Sequence, residues 1–206
     1  MEISWHGHNC FLIRGEDATM LIDPFPGVDI PKNLEIDVVA LTQAGGSYSQ
    51  KPEDIKARHC FDWPGEYEAS GIAVTLQKVN SNTEEEKLMI HFEIDGFNCA
   101  NLGFSDQAIN NSEAETLGNV DILMLPTGGK DVLTADKAVE VTETIEPKII
   151  IPACIAAEKH GGEYEPVANF IKAVGVTMPE PQKSYKIKAT SALPIETTEY
   201  IVLELS

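Results

Sequence analysis

The sequence predicts an α/β fold in which two sheets pack together with helices outside. Three observations carry this. Short apolar or alternating strand segments occupy both halves of the chain, helical segments follow them, and most strands are closed by Gly, Pro, Asn or Asp turns. The chain has 206 residues, 43% of them hydrophobic, enough for one sizeable core, and 1–206 is expected to form a single domain.

The opening segment predicts strands at Glu2 to Trp5, Cys10 to Arg14 and Thr19 to Ile22. A Pro/Gly-punctuated loop, 24–31, leads to the apolar strand Val38 to Leu41, which stops on the small neutral residues QAGGSYSQ. Lys51 to Ile55 has proline near the start of what would be one helical turn, and the short segment after it ends in DWPGEYEASGI. Gly71 to Val79 alternates as a strand, Ser81 to Glu86 is a polar hairpin loop, and Leu88 to Ile94 alternates again. Asp95-Gly96 is a hairpin turn, followed by a strand from Asn98 to Leu102, a short helix near Glu113 to Leu117 and an apolar strand, Asp121 to Leu125. Thr134 caps a helix whose apolar positions Ala138, Val141 and Ile145 keep helical spacing up to Pro147. Ile149 to Pro152 is a buried strand, Glu165 to Val174 a helix stopped by Gly175, and IVLEL a closing strand.

Thirty-three acidic residues against fifteen basic ones give a formal charge of -18. Such a surface repels phosphate backbones and anionic lipid, so nucleic acid and membrane are not expected partners. No segment reaches the roughly 18 consecutive apolar residues of a membrane span, and with no basic leader the expected location is cytoplasmic. Cys10, Cys60, Cys99 and Cys154 are far apart and form no CxxC pair, which predicts free thiols.

The segments WHGHNCFLI, LIDPFPG, DVVALTQ, WPGEYEASGI, FNCANLGFSD, GNVDILMLPTGG and IEPKIIIP, in this order and spacing, resemble the small metallo-β-lactamase-fold hydrolases related to the ascorbate-phosphate lactonases. The resemblance implies a four-layer αββα sandwich and, in active relatives, two metal ions held by an HxHxDH cluster after the strand matching Val38 to Leu41. Here that cluster falls on Gln43, Gly45, Ser47 and Tyr48. The later ligand positions fall on Val79-Asn80-Ser81, on Phe104 and on Cys154. Neutral amide and hydroxyl groups cannot offset the charge of two divalent cations, so no resident metal or other cofactor is expected. Asp23 matches an acid that in the family supports a metal-binding histidine, and is expected to bond Tyr48 or backbone instead.

The expected site is therefore a vestigial cleft formed by His8, Asp23, Gln43, Ser47, Tyr48, Glu66, Asp106 and Cys154. The leading reading is a non-hydrolytic pseudoenzyme that binds a small molecule there or works through its surface, in a homo-oligomer or beside an active partner. The alternative is a hydrolase of a phosphorylated or lactone-like metabolite with a rebuilt site: one metal on His6 and His8, or none, using Cys154, Tyr48 or Glu66. If a strand carried His6, His8 and Cys10, all three would face one side as a zinc set, against the plainer reading of packed histidines. Cys154 near His160 offers a nucleophile, against the plainer reading of an inert buried thiol, and Glu66 with Asp106 would be an acid/base pair if they converged.

Overall fold

The computed structural model describes residues 1–160 and 163–206. Strands β1 (Glu2–Trp5), β2 (Phe11–Arg14), β3 (Thr19–Ile22), β4 (Ile36–Ala40), β5 (Ala57–Phe61) and β12 (Tyr185–Lys186) form one sheet in the order β12-β1-β2-β3-β4-β5. The second sheet contains β6 (Gly65–Ala69), β7 (Ile72–Lys78), β8 (Leu88–Ile94), β9 (Phe97–Asn101), β10 (Ile122–Pro126), β11 (Ile149–Ala153) and β13 (Glu199–Tyr200), ordered β13-β11-β10-β9-β8-β7-β6. Both sheets are mixed. The β3, β4 and β5 pairings are parallel in the first, and β9, β10, β11 and β13 run parallel in the second.

Alternation along the strands makes the sandwich. Ile3, Phe11, Ile13, Met20, Ile22 and Val38 face Ile72, Val74, Ile90, Phe92, Ile122 and Ile151 across the central core. The residues of opposite parity in the second sheet, among them Met89, Ala100, Leu123, Leu125 and Ile150, meet the apolar faces of α1 (Asn111–Leu117), α2 (Ala135–Ile145) and α3 (Val167–Ala173). All three α-helices thus cover one sheet. The outer face of the other sheet, through Leu12, Leu21, Val39 and Leu41, is covered by irregular chain bringing Phe25, Val28, Ile30, Leu34 and Ile55. The α/β sandwich is as expected, with loop rather than helix over this face.

Some boundaries differ from expectation for identifiable reasons. Lys51 to Ile55 forms a single hydrogen-bonded turn, the Ile55 N–H donating to the Pro52 carbonyl, and no helix continues from it because the Ile55 carbonyl is taken by Lys51 Nζ. GEYEA of DWPGEYEASGI is a strand, pairing in register with β7. The IVLEL tail makes only isolated bridges, Gln182 with Leu203 and Trp5 with Leu205, after the two-residue β13. Among the described residues no helix is long and apolar enough to cross a membrane.

Parallel pairing gathers the C-terminal ends of β3, β4, β9, β10 and β11 at one rim of the sandwich, with the β1 to β2 turn and the β7 to β8 loop beside them. Tight approach fixes that rim. Gly103 has φ +59, and a Cβ there would lie 2.6 Å from the Leu88 carbonyl, so only glycine fits.

Candidate functional site

A cavity of about 460 Å³ opens at this rim, lined by His8, Gln43, Ser47, Tyr48, Thr83, Glu85, Lys87, Phe104, Lys130, Asp131, Val132, Glu163 and Tyr164. Its backbone is strained where the chain turns under it. His8, Asp23, Lys130, Cys154 and His160 all have positive φ between 43° and 58°, a conformation non-glycine residues keep only when their surroundings enforce it. The enforcement is visible: the His8 carbonyl accepts from Trp5 Nε1 at 2.9 Å and from the Cys154 N–H at 2.8 Å, and the His8 N–H donates to the His160 carbonyl.

Beneath the cavity lies a closed polar network. The fully buried Asp23 carboxylate accepts from the Thr42 N–H at 2.7 Å, the Thr42 and Ser49 hydroxyls at 2.5 Å, and Asn9 Nδ2 at 2.6 Å. Asn9 also donates to Asn101, whose Oδ1 takes the Gly103 N–H. Burial pushes the Asp23 carboxyl up to about 6 even though the Ser49, Thr42 and Asn9 bonds pull the other way. Asp23 thus takes one backbone donor, the Thr42 N–H, as expected, and otherwise the side chains of Thr42, Ser49 and Asn9 rather than Tyr48. Tyr48 stacks instead on His8, ring centroids 3.7 Å apart.

His8 is 7% exposed, with Phe25 and Tyr164 edge-on to its ring. Burial, reinforced by repulsion from His160, lowers its pKa to about 4, so the imidazole is neutral near pH 7. Among the described residues its Nδ1 has no hydrogen-bond partner. Lys87, 4% exposed, donates from Nζ to Asp106 Oδ2 at 2.9 Å and to the Asp131 carbonyl at 3.3 Å. Burial acts to raise the Asp106 carboxyl, but bonds from Lys87, the Asn82 N–H and the Ser81 hydroxyl outweigh it and leave its pKa lowered. Lys130 pairs with Glu163, and Gln43 Nε2 with Glu85.

Of the sequence-predicted residues, His8, Gln43, Ser47 and Tyr48 line the cavity. Asp23 lies under it, Asp106 stands behind Lys87, and Cys154 is buried against Phe104, Val132 and Tyr164. Glu66 is not brought to them: it is exposed on β6 at the edge of the second sheet, so it forms no acid/base pair with Asp106. His6, His8 and Cys10 do not share a strand face, because β1 ends at Trp5 and β2 begins at Phe11, leaving all three in the turn. His6 uses both ring nitrogens, on the Asp29 carbonyl and the Ser4 hydroxyl, while Cys10 is buried in the outer core. Cys154 is fully buried and is not placed as a nucleophile: burial drives its pKa well up, with the Asp23 charge acting the same way, against a bond from Tyr164 and the Lys87 charge.

Lys87, Lys130 and Tyr164 were not legible as site residues. Lys87 follows three glutamates at the start of an alternating strand, where a lysine ordinarily reaches for solvent. Tyr164 lies just past Gly161 and Gly162, which are outside the described residues.

The dinuclear centre implied by the resemblance does not fit these residues. Its positions carry the Gln43 amide, the Ser47 and Tyr48 hydroxyls, the Phe104 ring and a buried thiol. Among the described residues no three His, Cys, Asp or Glu side chains converge as a metal-binding group.

Residues 2–154 match the β-lactamase superfamily domain. A UPF0173 protein of Pyrococcus abyssi is 26% identical over 174 residues, covering 74% of this chain and 82% of its own. A UPF0173 metal-dependent hydrolase of Methanosarcina mazei is 23% identical over 189 residues, again covering 74% and 82%. Among solved structures, a candidate Zn-dependent hydrolase of the metallo-β-lactamase superfamily from Thermotoga maritima superposes with TM-score 0.80 at 22% identity, over 98% of this chain and 97% of that one. A metallo hydrolase of Ignicoccus hospitalis gives TM-score 0.69 at 15% identity, over 91% and 99%. The two structures share the fold, and with the domain match spanning most of its length the chain belongs to the β-lactamase superfamily.

Proposed function

We propose that the protein is a non-hydrolytic member of its superfamily, a pseudoenzyme that uses the rim cavity to bind a small molecule. The observation that carries this reading is the exchange of donors at the rim. Where a hydrolytic centre needs several imidazoles and a carboxylate converging on divalent ions to hold them and acidify water, the implied ligand positions present amide, hydroxyl, phenyl and buried thiol groups, and the His8 imidazole and the Glu85, Asp131 and Glu163 carboxylates of the lining form no metal-binding group among the described residues. The Asp106 carboxylate is taken up by Lys87 and the Glu163 carboxylate by Lys130, so neither is free to ligate a cation.

The surrounding architecture supports a kept binding shape. The strained turns at His8, Asp23 and Cys154 and the Asp23 network hold the rim rigid, as a preformed pocket requires. The alternative of a metabolite hydrolase with a rebuilt site has less to stand on, because His6, Cys154 and Glu66 are each bonded, buried or remote.

Metal content of protein purified without chelators from medium supplemented with zinc, manganese and iron tests the proposal. Well under one equivalent per chain is expected. Two tightly held equivalents, with turnover of a phosphodiester or lactone substrate, would overturn it.

A further inference from the structure

We infer that the rim cavity is built for an uncharged polyhydroxy molecule, of the size and chemistry of a free sugar or cyclitol, and discriminates against its phosphorylated and carboxylated forms. This rests on the reading of the cavity as a binding site, and goes beyond it by naming the ligand's class.

Charge decides the first part. Lys87 and Lys130 are the ammonium groups of the cavity, and each already faces a carboxylate, Asp106 and Glu163. Glu85 and Asp131 add two further negative charges to the lining, so an incoming phosphate or carboxylate meets an excess of like charge. Recognition of phosphate by a spare cation would need an unpaired lysine or arginine here, and among the described lining residues none is present.

Hydrogen-bonding capacity decides the second. The Lys87 ammonium has three N–H groups, and the Asp106 carboxylate and Asp131 carbonyl take two, leaving a donor for a ligand oxygen. His8 Nδ1, buried and without a partner among the described residues, needs a group that can donate or accept according to the imidazole tautomer. A hydroxyl does both. Ser47 and Thr83 can bond in either sense, and the Glu85 and Asp131 carboxylates can accept from neighbouring hydroxyls. Tyr48, stacked by one face on His8, is 39% exposed and offers a flat wall for the C–H face of a ring, over a floor containing Phe104 and Val132. A cavity of about 460 Å³ lies within the usual range for small-molecule sites, about 300 to 1,000 Å³.

The test is calorimetric titration of the whole chain with D-glucose, D-ribose and myo-inositol, each beside its phosphate monoester, plus glucuronate and glucosamine. At least one uncharged probe is expected to bind at least about tenfold more tightly than its phosphate ester. Tyr48→Leu and Ser47→Val, at exposed rim positions that leave the fold intact, should weaken it by about tenfold. Lys87→Met combined with Asp106→Leu should weaken it further without leaving a lone buried charge. A phosphate ester, glucuronate or glucosamine binding more tightly than the uncharged probe would overturn the ligand class while leaving cavity binding intact. If none of the uncharged probes binds, or if one binds and the Tyr48 and Ser47 variants leave its affinity unchanged, the inference fails. Failure of the broader reading is recognised separately, by two metal equivalents per chain.

Discussion

Asp23 and His8 titrate in opposite senses in one window. Asp23, raised to about 6, keeps its proton in the native state where the unfolded chain has lost it, so its ionisation removes stability as pH rises from about 4 to 6. His8, lowered to about 4, is neutral in the native state where the unfolded chain carries a proton, so it adds stability over the same rise and up to the ordinary histidine value. His6 and His91, also lowered by burial, act in the His8 sense. Urea unfolding of Asp23→Asn should therefore show a steeper gain in stability between pH 4 and 6 than the unsubstituted protein, by about 3 kcal/mol across the window. His8→Phe should show a shallower one. An unchanged slope in Asp23→Asn would mean that its carboxyl titrates normally.

Two further residue-scale outcomes follow from burial. Lys87→Met strands Asp106 beside a cavity with only Ser81 and Asn82 as donors, and should cost about 3 kcal/mol by the same unfolding assay. Of the four cysteines, Cys60 is exposed and Cys10, Cys99 and Cys154 are buried. A thiol reagent should label one group per native chain quickly and the rest only after denaturation. Rapid labelling of Cys154 would contradict its inert role. The residues of this site were partly legible. Gln43, Ser47 and Tyr48 could be placed because a strand end marks a rim whatever its side chains are. Lys87 could not, because only the fold shows that an acidic partner lies behind it.

At the scale of elements, period-two alternation located most strands, since each sheet has two differently packed faces. It failed at β5, β6 and β12, where sheet-edge position leaves little apolar signal: ARHCF has no buried residue and GEYEA has only Ala69 buried. The helix caps carried clearer information. Asn110 and Glu113 form a reciprocal capping box at α1, and Glu113 also accepts the Asn80 N–H, which ties the helix to the end of β7 and the rim loop. Asn110→Ala should lower stability by about 1 kcal/mol, measured by thermal unfolding, with ligand binding retained. A loss of binding larger than the loss of stability would show that α1 positions the cavity as well as the fold.

For the whole molecule, the net charge of -18 is the term most open to solution conditions. Self-repulsion among excess carboxylates is screened within about 10 Å at 0.1 M salt, so thermal stability should rise from low salt to that range. A fall would mean that the surface ion pairs, such as Arg58 with Glu35, outweigh the repulsion. The superfamily fold was readable from ordered segments spread along the chain, because strand ends and turns are fixed by backbone geometry. The covering of one sheet by loop was not readable, since Val28, Ile30 and Leu34 show neither period.

Separation of a retained fold from its hydrolytic metals is tested most directly by anomalous diffraction from crystals grown with millimolar zinc. No peak is expected between Gln43, Tyr48, Phe104 and Cys154, with His8 and Tyr48 still stacked and Lys87 still on Asp106. A pair of strong peaks bridging the two sheets at those four residues would contradict it.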